Sequence, residues 1–332
     1  MSDRSQPRCL NDDGEPRPWL SIVIPFYNEE DNVRPLHEQI VQALDSLGKP
    51  YEVIAVDDGS TDRTLAALDE ILKDDQRWSV VVLRRNFGQT AALSAGFDRI
   101  RGDVIVTLDG DLQNDPADIP KLLELIETYD MVSGWRADRK DPFVSRRLPS
   151  MLANWLISVT TGIRLHDYGC TLKAYRRQIL SEVNLYGEMH RFLPVLVAWV
   201  GGRITELEVT HHPRASGVSK YGLFRIYKVL VDVLTVKFMG DFSARPNYVF
   251  GGFGLISLVL GLVSLCVVAY RVLVLRRLEA TPVVFLMVIF FLAGILSIFI
   301  GFLAEIVIRG FFETQRRPTY YVRETVGIDQ AD

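Results

Sequence analysis

Short apolar runs alternate with amphipathic stretches through the first third of the chain. The runs are four to six residues long, and the stretches between them place apolar residues at helical spacing. Strands and helices that alternate in this way are typical of βαβ units, which build a parallel sheet. The pattern predicts strands at residues 20–25, 51–56, 80–83 and 104–108, with helices between them.

Two long apolar segments follow in the last third of the chain. Residues 248–270 contain no charged side chain, and residues 282–308 contain only Glu305. Each segment is long enough to cross a hydrocarbon core of about 30 Å as a helix, so both are predicted membrane spans. Glu305 either makes a functional or interhelical contact or extends towards Arg309, and we favour the second interpretation.

Basic residues near the ends of the spans predict their orientation. They are more numerous outside the two spans than in the connection between them, so the positive-inside rule places both termini in the cytoplasm. The outer set is Arg225, Lys228, Lys237, Arg245, Arg309, Arg316, Arg317 and Arg323, and the connecting set is Arg271, Arg276 and Arg277.

Two further segments combine basic and apolar residues. Residues 145–163 carry tryptophan among apolar residues at helical spacing, which fits a helix in a membrane interface. Packing against a protein core is the other interpretation, and the two downstream spans favour the interface. Residues 221–245 have a similar composition and are interpreted as a second amphipathic helix next to the membrane.

Composition sets broader limits. A chain of 332 residues accommodates about two domains, and its formal net charge of −4 gives no reason to expect a nucleic-acid partner. Residues 1–18 are polar and rich in Asp, Arg and Pro, so we expect a disordered tail rather than a signal peptide. Cys9, Cys170 and Cys266 are too scattered for a metal site and fit a reducing compartment without disulfides.

Acidic and amide side chains collect where the predicted strands end. Asp109 and Asp111 follow the fourth strand directly. Open α/β sheets bind ligands at the carboxyl ends of their strands, and paired carboxylates suit Mg²⁺ or Mn²⁺ holding a diphosphate. The competing interpretation is a polar turn in which Asp111 caps the next helix. The same edge also receives Tyr27, Glu29, Asp57, Asp58 and Asn86, which favours a ligand site.

Two common nucleotide-binding signatures are missing from the sequence. No Gly-x-Gly-x-x-Gly follows the first strand, and no Gly-Lys-Ser/Thr loop occurs anywhere. A nucleotide would therefore have to be held by carboxylates and a metal ion.

The polar motifs, taken in order, carry a family resemblance. The first half of the chain contains Ile24-Pro25-Phe26-Tyr27-Asn28-Glu29, Val56-Asp57-Asp58-Gly59-Ser60, Asn86-Phe87-Gly88 and Asp109-Gly110-Asp111-Leu112-Gln113. This set resembles the nucleotide-sugar domain of family 2 glycosyltransferases. The later motifs, together with the two spans, resemble the bacterial polyprenyl-phosphate glycosyltransferases, relatives of dolichol-phosphate mannose synthase. These motifs are Asp167-Tyr168-Gly169-Cys170, Arg214 to Tyr221, and Arg316-Arg317-Pro318.

The resemblance implies a GT-A fold, which is a Rossmann-like α/β domain with a mostly parallel sheet, and inversion at the anomeric carbon. It implies that Asp58 faces the nucleotide base in a pocket shaped by Pro25, Tyr27 and Glu29. Asp57, Asn86, Asp109 and Gly110 are assigned to the nucleotide sugar, and Asp109, Asp111 and Gln113 to Mg²⁺ or Mn²⁺. Gly110 stands where alanine is common in this group, which affects only local backbone stiffness.

The resemblance also implies an acceptor site. Arg136, Arg147, Arg214 and Lys220 would bind the phosphates of acceptor and donor, and Asp167 would act as general base. Two alternatives stay open: Asp167 as the structural partner of an arginine, and the arginines as a patch that only attracts anionic lipid. A lipid phosphate monoester has a second pKa of about 6, so it is largely ionised at neutral pH and needs positioning more than deprotonation.

We therefore expect an integral membrane enzyme of the bacterial inner membrane. It would transfer a hexose, in the first instance from UDP-glucose, to undecaprenyl phosphate at the cytoplasmic face, as a homo-oligomer. Alternatives are transfer of formyl-aminoarabinose, galactose, N-acetylhexosamine or mannose to the same lipid, and, from another class, a non-catalytic membrane scaffold. The expected organisation is a tail (1–18), a GT-A domain (19–220), a juxtamembrane helix (221–245), a transmembrane hairpin (246–310) and a cytoplasmic tail (311–332).

Overall fold

The computed structural model describes residues 17–137, 148–183, 189–213, 246–274, 282–314 and 320–327. The described residues form two compact units. One contains the chain up to residue 213 together with residues 320–327, and the other contains residues 246–314. The predicted juxtamembrane helix at 221–245 lies outside the described residues.

The first unit is an α/β domain. Its strands are β1 (Leu20–Phe26), β2 (Tyr51–Asp57), β3 (Trp78–Leu83), β4 (Val104–Thr107), β5 (Met131–Trp135), β6 (Lys173–Arg176), β7 (Ile204–Glu208) and β8 (Val322–Val326). Its helices are α1 (Val33–Leu44), α2 (Thr64–Asp74), α3 (Gln89–Phe97), α4 (Ile119–Leu125), α5 (Leu148–Thr161), α6 (Arg177–Ser181) and α7 (Leu193–Trp199).

One eight-stranded sheet organises the domain, in the order β7-β5-β6-β4-β1-β2-β3-β8. The four predicted strands form its parallel centre: β1 pairs in parallel with β2 and β4, and β2 pairs in parallel with β3. On one side, antiparallel β6 joins β4 to β5, and β7 runs parallel to β5. This mostly parallel arrangement confirms the predicted fold class.

The central strands are apolar along their whole length because both sheet faces are covered. Every residue of β2 and β3 is buried, and Pro25 alone in β1 is partly exposed. Helix α1 packs Leu36 and Ile40 into the same core. Burial of this layer fixes where the strands end, and therefore where the polar residues that follow them lie.

The second unit is a pair of helices, α8 (Pro246–Leu273) and α9 (Pro282–Thr314). Both are long and apolar enough to cross a membrane. They meet where neither carries a side chain: a Cβ on Gly254 would lie 2.9 Å from the Gly294 carbonyl oxygen, and a Cβ on Gly294 would lie 3.0 Å from that of Gly254. Small residues at such crossings let helix backbones approach closely.

The end of the chain differs from the expected tail at 311–332. Residues up to Thr314 belong to α9, and residues 322–326 form strand β8, which pairs antiparallel with β3. The composition of this short segment resembles a polar tail, because an edge strand with one face in solvent needs few apolar residues. Only its pairing with β3 reveals it as part of the sheet.

Candidate active site

The predicted polar residues meet at one edge of the sheet. Parallel strands β4, β1, β2 and β3 are neighbours, so their carboxyl ends lie side by side. The loop after β1 carries Tyr27 and Glu29, β2 ends in Asp57 and Asp58, and β4 leads to Asp109. The structure therefore brings together the nucleotide-sugar and metal residues predicted at this edge.

Asp58 holds the loop that follows β3. Its Oδ1 accepts a hydrogen bond from the Phe87 amide at 2.7 Å, and its Oδ2 accepts one from the Gly88 amide at 2.9 Å. The carboxyl is buried, and burial raises its pKa while the two amides oppose that rise. Asp58 therefore fixes the backbone at Phe87 and Gly88, in the loop of residues 84–88 at the sheet edge.

A glycine lets this loop approach β2 closely. Gly59 has φ +71°, and a Cβ there would lie 2.5 Å from the carbonyl carbon of Arg85. Any other residue at position 59 would displace the loop or adopt a strained backbone. Glycine is thus required here by both conformation and space.

The loop after β1 is interlocked with the turn after β2. Asn28, at φ +56°, accepts a hydrogen bond from the Thr61 amide at 2.8 Å. The Glu29 amide donates to the Thr64 hydroxyl at 2.8 Å, and the Asp57 carboxylate accepts from the Ser60 amide at 3.2 Å. The Tyr27 ring is exposed beside this framework, while Pro25 is half-buried.

Asp109 is held by two side chains. Gln89, the first residue of α3, donates to its Oδ1 at 2.7 Å, and the Thr171 hydroxyl donates to its Oδ2 at 2.7 Å. Burial and the neighbouring Asp111 raise the pKa of Asp109 to about 7. A carboxylate has about four lone-pair sites, so both oxygens can still accept a ligand. Asp109 and Asp111 together place an excess of negative charge at this site, and a bound divalent cation would neutralise it.

Gly110 is explained by packing. A Cβ at this position would lie 2.6 Å from the Phe26 ring. Phe26 is fully buried, so the ring cannot move aside without disturbing the core. In this chain Gly110 is therefore a packing residue as well as a flexible one.

Asp111 and Gln113 lie in a turn that is held from the other side by residues 209–213. The Gln113 amide donates to Asp111 Oδ1 at 3.2 Å, and the Gln113 carbonyl accepts from the His212 amide at 2.8 Å. Leu112 between them has φ +60°. Among the described residues, no group of three or more His, Cys, Asp and Glu side chains is placed to bind a metal ion. A cation here would be held by Asp109, Asp111 and the phosphate oxygens of a ligand, and a side-chain role of Gln113 stays a prediction.

Arg136 and Asp167 form a buried ion pair beside this turn. The Arg136 Nε donates to Oδ2 at 2.7 Å and its Nη2 to Oδ1 at 3.1 Å, and Asp167 is 3% exposed. This pairing holds the pKa of Arg136 above its usual range despite burial. Glu206 of β7 holds the loop that carries Asp167. Its carboxylate accepts hydrogen bonds from the backbone amides of His166 at 2.8 Å and Asp167 at 3.2 Å.

Lys173 lies beneath the site. It is 3% exposed, and its Nζ donates to the Tyr168 carbonyl at 3.1 Å. Burial lowers the pKa of Lys173 to about 8, although Asp167 and Asp109 oppose that shift. The lysine thus places a positive charge near the carboxylates of Asp109 and Asp167.

The other predicted cations, Arg147, Arg214 and Lys220, lie outside the described residues. Conversely, sequence reasoning missed Gln89, Thr171 and Lys173. Gln89 follows the Asn86-Phe87-Gly88 motif directly, and Thr171 follows Cys170, so a search of motif neighbours would have included the first two. Lys173 had no signal, because a lysine in a strand usually faces solvent.

Helix α5 (Leu148–Thr161) lies within the segment 145–163, which is predicted to be an interfacial helix. Met151, Trp155 and Val159 recur every fourth residue and are 56%, 60% and 63% exposed, whereas Ile157 is buried. One stripe of this helix is therefore apolar and open to solvent. Its position in a membrane interface stays a prediction.

Comparison with known proteins gives consistent similarities. Residues 21–183 match the model of glycosyl transferase family 2. Dodecaprenyl-phosphate galacturonate synthase of Rhizobium johnstonii is 44% identical over 92% of this chain and 92% of its own length. Undecaprenyl-phosphate 4-deoxy-4-formamido-L-arabinose transferase of Edwardsiella ictaluri is 37% identical over 95% of this chain and 96% of its own.

Likeness to solved structures is weaker. Glucosyl-3-phosphoglycerate synthase from Mycobacterium tuberculosis, in complex with Mn²⁺, UDP and glucosyl-3-phosphoglycerate, aligns with a TM-score of 0.48 and 17% identity. The alignment covers 67% of this chain and 80% of that one.

Proposed function

This chain belongs to the family 2 glycosyltransferases, among the polyprenyl-phosphate glycosyltransferases, and we propose that it transfers a uronic acid or aminopentose residue from a UDP-sugar to undecaprenyl phosphate or a related polyprenyl phosphate. Transfer of a sugar to a polyprenyl phosphate is the activity that its relatives' names share. The relatives' names carry galacturonate and formamido-arabinose, so they give no support to the glucose expected from the sequence, and formyl-aminoarabinose is among the expected alternatives.

One observation carries the proposal. The Asp109–Asp111 pair and the Asp58-bound loop lie at the same sheet edge, next to the buried Arg136–Asp167 pair. A nucleotide sugar laid along this edge would have its base near Asp58 and its diphosphate near Asp109. Arg136 would then be available on the far side for the second phosphate, that of the acceptor.

Mg²⁺ or Mn²⁺ fits the carboxylate pair. Such an ion would neutralise charge that develops on the diphosphate as the sugar leaves. Asp109 would be one ligand, held in place by Gln89 and Thr171, and Asp111 the other. Both carboxylates are oxygen donors of the type that hard divalent cations prefer.

The acceptor chemistry assigns a positioning role to Arg136. An ionised lipid phosphate is already a nucleophile, and a guanidinium orients it by bidentate hydrogen bonds. Asp167 occupies the Nε and Nη2 donors of Arg136, so it fixes the direction of the remaining donors. We therefore favour Asp167 as the partner that orients Arg136, rather than as a general base.

We further infer that the protein is membrane-associated through α8 and α9 and through the apolar stripe of α5. An acceptor with a long hydrocarbon tail stays in the bilayer, so the catalytic domain must work at its surface. The cytoplasmic location of the catalytic domain and of both termini remains a prediction, as does assembly into a homo-oligomer.

The test is transfer by the purified full-length protein. We would incubate it in detergent with undecaprenyl phosphate, Mg²⁺ or Mn²⁺, and UDP-galacturonate, UDP-linked formamido-arabinose, UDP-glucose or GDP-mannose, and extract labelled lipid. We expect product with one of the first two donors, and none from the Asp109→Asn variant. No lipid-linked product with any donor would contradict the proposal.

A further inference from the structure

The segment that follows the second long helix contacts the loop of the candidate donor site. Residues 320–323 approach beyond the end of β3, where the β3–β8 ladder has a register irregularity between Val82 and Leu83. There the Arg84 amide donates to the Tyr321 carbonyl at 2.9 Å, and the Arg84 Nε donates to the Val322 carbonyl at 3.3 Å. These contacts continue the pairing into the loop at residues 84–88.

The contact includes an aromatic pair. The Tyr321 ring lies 6.1 Å from the Phe87 ring at an interplanar angle of 49°. On the same Phe87 ring, the Arg85 guanidinium lies 4.7 Å from the centroid. Phe87 thus receives side-chain contacts from the far end of the chain and from its own loop.

Phe87 is also the residue that Asp58 holds. The Phe87 amide donates a hydrogen bond to Asp58 at 2.7 Å, and the Phe87 ring contacts Tyr321. One residue therefore contacts both Asp58 and Tyr321. The contact with the Tyr321 ring restrains the residue whose amide binds Asp58. Tyr321 is therefore linked to Asp58 through a single intervening residue.

A second tie secures the other end of α3. The Tyr320 hydroxyl donates to Asp98 Oδ2 at 2.5 Å, and Arg99 Nη1 donates to the same hydroxyl at 3.3 Å. Helix α3 starts at Gln89, which donates to Asp109. Consecutive residues 320 and 321 thus contact both ends of the segment that reaches Asp58 and Asp109.

The charge of the segment matches this position. Arg323 lies near enough to Asp57 to oppose the rise in the pKa of that carboxyl caused by burial. A positive side chain at this edge also favours a diphosphate ligand. Arg323 thus adds a positive side chain to this segment, and the same side chain is also paired with Glu324.

We propose that Tyr321 is a positioning residue of the donor site: through Phe87 it holds the 84–88 loop in the conformation that binds the nucleotide. This inference rests on the proposed function, because it takes the Asp58 edge as the nucleotide site. A positioning residue of this kind changes the affinity for the donor and leaves the chemical step unchanged. It would therefore appear in the donor KM rather than in kcat.

The test compares Tyr321→Ala with Tyr321→Phe and with a control in the adjacent strand β8, Val326→Ala. Val326 pairs with Val80, away from the loop, and is 40% exposed. Calorimetry with UDP and Mn²⁺ on the full-length protein in detergent would measure affinity, and amide hydrogen exchange would follow the peptide that covers residues 84–88.

We expect Tyr321→Ala to weaken UDP binding about five- to tenfold, the scale that loss of an aromatic pair supports, and to accelerate exchange in the 84–88 peptide. Tyr321→Phe keeps the ring and should match the unsubstituted protein, as should Val326→Ala. Tyr321→Leu, which keeps apolar bulk without the ring, serves if Tyr321→Ala does not fold.

The experiment distinguishes failure of the Tyr321 positioning role from failure of the proposed function. Unchanged UDP affinity and unchanged exchange in Tyr321→Ala would overturn the positioning role while leaving the function intact. Failure of the unsubstituted protein to bind UDP or to form lipid product would instead overturn the function, and with it the nucleotide-positioning role of Tyr321.

Discussion

Arg136 and Asp167 are joined by two hydrogen bonds between a guanidinium and a carboxylate, and both side chains are largely withdrawn from water. Removing one partner of such a pair leaves a buried charge without compensation, which costs more than the pair itself contributes. The arrangement also fixes the plane of the guanidinium. A site that binds a phosphate through the remaining donors depends on that plane.

The first prediction follows from this pair. Asp167→Asn removes the charge that orients Arg136, and we expect kcat/KM to fall about a hundredfold or more, which corresponds to about 3 kcal/mol. The rate of lipid product formation measures it. Asp130→Asn, in the ion pair with Arg203 at another part of the sheet, is the matched control.

The same variant separates the two roles of Asp167. If Asp167 positions Arg136, then Arg136→Gln and the double variant Arg136→Gln/Asp167→Asn should be about as slow as Asp167→Asn, because the pair acts as a unit. If Asp167 is a base, Asp167→Asn should abolish the acidic limb of the pH–rate profile. A rate for Asp167→Asn within about threefold of the unsubstituted enzyme would exclude both roles.

The second prediction concerns Asp58. Asn at this position keeps one acceptor oxygen and turns an NH₂ group towards a backbone amide, so one of the two amides of Phe87 and Gly88 loses its partner. We expect affinity for UDP to fall about tenfold or more and stability to fall by about 1–3 kcal/mol.

Calorimetry and thermal unfolding measure these two effects of Asp58→Asn. Asp45→Asn is the control, because Asp45 also accepts hydrogen bonds, from Tyr51 and Arg77, but near the start of β2. Equal UDP affinity in Asp58→Asn and the unsubstituted protein would remove Asp58 from the donor site.

The third prediction is a packing test of Gly110. Gly110→Ala places a methyl group 2.6 Å from the Phe26 ring, and we expect a loss of about 1–3 kcal/mol in stability. Phe26→Val removes the ring, so adding Gly110→Ala in that background should cost less than about 0.5 kcal/mol. Chemical unfolding of the four proteins measures the coupling. Additive penalties would show that the two residues are independent.

The fourth prediction uses the pKa of Lys173. The ordinary pKa of a lysine side chain is 10.5, and burial lowers that of Lys173 to about 8 in the folded protein. Between these values the unfolded chain binds the proton and the folded protein does not. Stability from this group therefore rises with pH through this window, by at most about 1.4 kcal/mol per pH unit.

Comparison with Lys173→Met isolates this effect, because other groups titrate in both proteins. The difference in apparent melting temperature, unsubstituted minus variant, should increase from pH 8 to pH 10 and stay flat below pH 8. A difference that is constant across the whole range would mean that Lys173 keeps an ordinary pKa in the folded protein.

The sequence predicted the centre of the domain well, because strands buried on both faces are continuous apolar runs. It predicted β1 to β4 and the collection of Asp58 and Asp109 at their ends. It did not predict β5 to β8: the buried Lys173 breaks the apolar pattern of β6, and β8 is a half-exposed edge strand. In both cases pairing with a distant strand outweighs local composition.

The site shows the same division. Motif residues at strand ends are predictable because topology alone brings them together. The contacts around them come from Gln89 and Thr171, which are marked only by their position next to a motif, and from Tyr321, which no local pattern marks. The sequence alone allows two roles for Asp167, and only geometry identifies Arg136 as its partner.

Strand β8 restricts how the chain can be threaded through a bilayer. The chain leaves the sheet after β7, passes through α8 and α9, and rejoins the same sheet at β8. Two strands of one sheet lie on one side of a membrane, so the number of crossings between them must be even, whichever segments make them. If α8 crosses the membrane, α9 must return. The pairing of β8 with β3 thus requires an even number of membrane crossings, independently of how basic residues are distributed.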